Sequence, residues 1–175
     1  PTPEWIAKFK GKFGMGWNKV REQIFAHQKR LGVIPQDAQL TPWPTDLIKN
    51  WDDLTPEERK LFERQMEVYA AYLAYVDDDI GRVVKSIEDM GKRDNTLIIY
   101  ISGDNGPSAE GGPNGTPNEM TFFNGVEVPV AAQMRYLDVW GSDKTYPHYS
   151  IGWAWAMSTP YQWTKQVAGY FGGTR

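Results

Sequence analysis

The chain has 175 residues, a net charge of −3, 41% apolar residues and 8 Trp, 9 Tyr and 7 Phe. That is enough apolar mass for one buried core, and too much for a disordered polymer. The acidic balance, the lack of a basic run and of an 18-residue apolar stretch, and the absence of Cys exclude several classes. They argue against nucleic acid as the main partner, against a membrane span, and against disulfides or thiolate metal ligands.

The chain opens on Pro1 with no signal-peptide pattern and stops just after Gly172-Gly173, so both ends read as cuts within a longer protein. Residues 1–16 mix aromatics, Lys and Gly and predict an extended surface approach. Asn18 is placed to cap a helix to Leu31, with Val20, Ile24 and Leu31 on one face and Gly32 as its stop. Three prolines in the next stretch predict irregular structure up to Leu54. Thr55-Pro56-Glu57-Glu58 has the form of a capping box with Pro at the first helical position. From Leu61 to Met90 the apolar residues keep a helical period, and Gly91 closes it. Such a helix is about 50 Å long at 1.5 Å per residue, with a bend expected near Gly81.

After a turn at Asp94-Asn95, residues 96–102 (TLIIYIS) are apolar without alternation. That pattern suits a central strand of a parallel sheet covered on both faces. The predicted fold class is therefore α/β, a mostly parallel sheet flanked by helices, with this chain as part of it, because no second confident strand is present. Ligands in such sheets lie beyond the carboxyl ends of the strands, where Asp104-Asn105-Gly106 emerges into a loop of over twenty residues. Pro129 is positioned to start a second amphipathic helix ended by Gly141, with Val130, Met134, Leu137 and Trp140 inward. The tail from His148 is rich in Trp and Tyr and poorly periodic.

Asp104 and Asn105 offer a carboxylate and an amide carbonyl, hard oxygen ligands suited to Ca²⁺ or Mg²⁺. A turn capped by its own Asp is the alternative, and two ligands are too few for Ca²⁺, which takes about 6–8 oxygens. An EF-hand is excluded: counted from Asp104 the twelfth position is Gly115, and counted from Asp77 the third acidic position is Gly81. Asp77-Asp78-Asp79 lies mid-helix and reads as a charged surface. His27 and His148 stand alone, against zinc. No nucleophile elbow, Walker loop or dinucleotide fingerprint occurs; Ser108 and His148 with an Asp are a remote nucleophilic set. Lys165 sits in an aromatic, Gly-rich stretch. Trp153, Trp155, Tyr161 and Trp163 suit either core packing or a glycan- or aryl-binding face.

Taken together, YAAYLAYVDDDIGRVVKSIEDMGKRDNTLIIYISGDNG, FKGKFGMGWNKVREQIFAHQKRLGVIP and STPYQWTKQVAGYFGGTR resemble the sulfatase family, in its bacterial arylsulfatase-like branch. The family fold is that of the alkaline-phosphatase superfamily. The resemblance implies a sulfuric ester hydrolase. It puts Asp104 and Asn105 on a divalent cation, usually Ca²⁺ and less often Mg²⁺, and Lys165, ahead of Gly172-Gly173-Thr174-Arg175, on the sulfate.

It also implies a formylglycine nucleophile whose hydrate attacks sulfur, made in a C/S-x-P/A-S-R motif. That motif is absent here, Ser158-Thr159-Pro160-Tyr161-Gln162 being only a near miss. Residues 1–175 are thus expected to be part of one catalytic domain, without its nucleophile-bearing N-terminal part or its C-terminal part, and inactive when isolated. The substrate implied is an aryl or carbohydrate sulfate ester. The rivals are a phosphonate or phosphate ester hydrolase of the same superfamily, and a non-catalytic, metal-stabilised glycan-binding module. Oligomeric state and export are not readable from these residues.

Overall fold

Thr55 starts the longest element as the sequence predicts. In the computed structural model, which describes residues 1–103 and 105–173, the Thr55 hydroxyl accepts the Glu58 N–H and the Glu58 carboxylate accepts the Thr55 N–H. From this capping box α3 (Pro56–Asp89) runs unbroken through Gly81. Before it come α1 (Pro3–Ala7) and α2 (Gly16–Leu31); after it come one-turn helices α4 (Met120–Phe123) and α5 (Val130–Gln133), then α6 (Ile151–Met157).

Residues 1–16 are not an extended approach: α1 packs on α3, and Ile6, Phe9 and Phe13 join the core. Asn18 is not a cap either. Helix α2 begins two residues earlier, and the Asn18 carbonyl accepts the Trp51 N–H at 2.8 Å, so its side chain serves a long-range contact. The helix from Pro129 shortens to α5 followed by a 3₁₀ segment, Met134–Val139, although Trp140 is buried as expected.

Trp17 is the hub of the core. Its ring meets Trp51, Trp153 and Phe62 at centroid distances of 5.0, 5.8 and 5.5 Å and stacks near-parallel on Trp43. Two buried indole N–H groups find carbonyls: Trp17 donates to Lys49 and Trp153 to Phe62. Burying these large rings with their one polar handle satisfied is strongly favourable. Gly152 is required in α6, since a Cβ there would overlap the Trp17 ring.

The predicted strand finds no sheet among the described residues. Residues 97–103 form no regular element and pair with no strand among the described residues, and Leu97 and Ile101 are 85% and 84% exposed. A strand is stable only when neighbours take its backbone N–H and C=O groups. The described residues hold no other such run, and isolated bridges join Thr116 with His148 and Asn118 with Tyr146.

Candidate functional site

The long loop after Gly103 is neither free nor disordered where it is described. Thr116 and His148 exchange backbone hydrogen bonds at 2.9 Å, and Ile151 N–H reaches the Gly112 carbonyl at 2.9 Å. Two buried amides fasten it further. Gln65 of α3 donates to the Asn114 carbonyl and accepts the Ser150 N–H, while Gln133 of α5 donates to the Gly115 and Val128 carbonyls. Neither Gln was singled out by sequence reasoning; a polar residue set among Leu61, Phe62, Met66 and Tyr69 was the available signal for Gln65.

This scaffold brings two predicted site segments together. Lys165 N–H donates to the Pro107 carbonyl at 3.0 Å, and Gly106 N–H points at the Gly173 carbonyl at 3.4 Å. The approach is close enough that a Cβ on Gly106 would overlap the Gly172 carbonyl oxygen, so this position needs glycine for close contact. Asp104, Thr174 and Arg175 lie outside the described residues. Asn105 is exposed at the wall of a cavity of about 830 Å³, which Tyr69, Ser108, Glu110 and Tyr149 also line.

Glu110 is the residue that the sequence did not disclose. It is buried, with Oε2 accepting the Ser108 hydroxyl at 2.7 Å and Oε1 accepting the Gln166 amide at 2.7 Å. The Lys165 ammonium stands 3.8 Å from the same Oε1. Behind it Tyr149 meets Tyr69 edge-on at 4.7 Å. Burial, and then the neighbouring Tyr69, push the Tyr149 phenol far above its usual range, so it stays neutral.

Other candidates fall away. Ser108 gives its proton to Glu110 and His148 Nδ1 contacts the Tyr149 carbonyl, so they do not form a nucleophilic pair. Ser158 is buried and donates to the Ala154 carbonyl. Trp153 and Trp155 are core residues and cannot stack on a glycan. Among the described residues no three His, Cys, Asp or Glu side chains gather as a metal site. An exposed amide oxygen at Asn105 suits a hard cation, so the described residues fit a contributing part of such a site and not a whole one.

A family model described as Sulfatase matches residues 2–173. An arylsulfatase of Klebsiella aerogenes is 38% identical over 161 residues, covering 90% of this chain and 32% of that protein. An uncharacterised sulfatase of Schizosaccharomyces pombe is 32% identical over 164 residues, covering 93% of this chain and 28% of that protein. The chain belongs to the sulfatase family. It spans about a third of the length of these curated relatives. Membership implies the alkaline-phosphatase-like fold, whose central sheet is not seen among the described residues. Among them, no helix is long and apolar enough to cross a membrane.

Proposed function

We propose that this chain carries the later part of a sulfatase active site and that the protein containing it hydrolyses a sulfate ester, aryl or carbohydrate. The observation that carries the reading is the junction of the Asn105–Ser108 loop with the Lys165–Gly173 segment, joined through Lys165 N–H and the Pro107 carbonyl. Residues 97–103 would enter a sheet with strands contributed by the remainder of the domain, and residues 1–175 would be one part of that domain.

Asp104 and Asn105 would serve as two oxygen ligands of a divalent cation, Ca²⁺ in preference to Mg²⁺. When bound, such an ion offsets charge on the sulfate oxygens. The nucleophile, a formylglycine, would lie outside these residues. The Lys165 ammonium would stand where negative charge develops on the bridging oxygen as the alcohol or phenol departs, a preorganised charge that needs no reorganisation during the reaction.

Two measurements test this reading. The protein containing this chain should turn over an aryl sulfate faster than the matching aryl phosphate; the reverse order would favour the phosphate ester hydrolase. In that protein Asp104→Ala should weaken Ca²⁺ binding by calorimetry at least about tenfold, and unchanged affinity would leave the Asp as a turn residue.

A further inference from the structure

We propose that Glu110 is the positioning residue that holds the Lys165 ammonium beside the Asn105–Ser108 loop. The proposal rests on the reading of Lys165 as the sulfate contact. Its ground is the environment of the carboxylate. Glu110 is 7% exposed, and a carboxylate that far from water needs hydrogen bonds and an opposite charge. Ser108 and Gln166 supply the hydrogen bonds. Among the described residues Lys165 is the one cation within 4 Å.

The separation decides what the pair can do. At 3.8 Å the Nζ–Oε1 contact is an ion pair and lies beyond hydrogen-bond length. The ammonium is attracted to the carboxylate, and among the described residues no hydrogen bond engages its three N–H donors. The Lys165 side chain is 39% exposed, so the anchored charge still faces outward from a buried base.

The backbone supports the same placement from both sides. Glu110 N–H donates to the Ser108 hydroxyl, which closes the loop on itself, and Lys165 N–H is bound to Pro107 one residue before it. A lysine stem is long and loses much rotamer freedom when fixed. Fixing it before substrate arrives spares that loss in the transition state. Sequence gives no hint of this, because Glu110 and Gln166 are 56 residues apart.

The test is a double-mutant cycle in the full-length protein that contains this chain, with aryl sulfates of graded leaving-group acidity as substrates. Glu110→Gln keeps the shape of the side chain, and Ser108 and Gln166 can still be hydrogen-bonded after reorientation. It should leave Tm within about 2 °C of the parent and lower kcat/KM roughly tenfold, most for the poorest leaving groups. In a Lys165→Ala background the same change should have no further effect.

Activity of E110Q within about twofold of the parent, or losses that multiply in the double variant, would overturn the proposal. A large fall in Tm with a loss that is equal for all leaving groups would make Glu110 purely structural and overturn it as well. Failure of the underlying reading has a different signature: Lys165→Ala would itself then be nearly silent. Should E110Q not fold, Glu110→Asp, which draws the charge back by one methylene, is read in the same cycle with the same deciding outcomes.

Discussion

The two halves of α3 carry the same helical pattern and meet opposite fates. Over its first sixteen residues Leu61, Phe62, Met66 and Ala71 are buried against α1, α2, α6 and the fastened loop. Beyond that, Tyr72, Leu73 and Val83 stand exposed, and the apolar run 97–101 that follows is bare. The period of a sequence records which face seeks burial, and says nothing of what will cover it. In the first half the cover is within the chain.

The largest expected effect lies at the centre of the covered half. Trp17→Ala removes the ring shared by Trp43, Trp51, Phe62 and Trp153 and should cost about 3–5 kcal/mol in urea unfolding; a loss under 1 kcal/mol would mean that the hub is not one. Gln65→Leu comes next. It strands the Ser150 N–H, while the Asn114 carbonyl keeps its bond from Gln133. The expected cost is about 1–3 kcal/mol, with proteolysis of the 111–119 loop accelerated.

At the boundary of the helix, Thr55→Ala should cost about 1 kcal/mol. Its partner gives a pH signature. Burial raises the Glu58 carboxyl, but the Thr55 N–H and Lys49 outweigh burial and hold it below the usual Glu range. A depressed carboxyl contributes stability above its unfolded value and loses it as pH falls through the folded one. The stability gap between parent and Glu58→Gln should therefore be constant above about pH 4.5 and close below it.

The smallest effect sharpens the comparison most. Val83→Ser in this chain alone should change stability by no more than about 0.5 kcal/mol. A loss above about 1 kcal/mol for the same change in the longer protein would locate a cover for the bare half there.

What the sequence disclosed follows from the range of each interaction. The Thr55 capping box and the α3 period were legible because each rests on residues within a turn of one another. The sulfatase resemblance was legible from the loop and tail motifs, and the meeting of Lys165 with the Asn105 loop agrees with it. Asn18 was misread because its amide is claimed by Trp51, 33 positions away. Helix α6 was missed because IGWAWAM is apolar on all sides, as a fully buried helix must be, and so shows no period. The apolar run 97–101 has strand-forming composition, yet no run among the described residues pairs with it. Glu110 and Gln133 were invisible in part for the same reason as Asn18: Gln166 lies 56 positions from the first and Gly115 18 from the second.

The bare run at 97–101 has a consequence for how this polypeptide behaves in solution. Five consecutive exposed apolar residues with free ladder positions form a template onto which another chain can add. Under the proposed reading, sheet partners from the longer protein and second copies would compete for the same row of amides. Dilution favours correct docking, concentration favours cross-chain growth, and a single Lys at Ile99 would blunt the second outcome without touching the aromatic core.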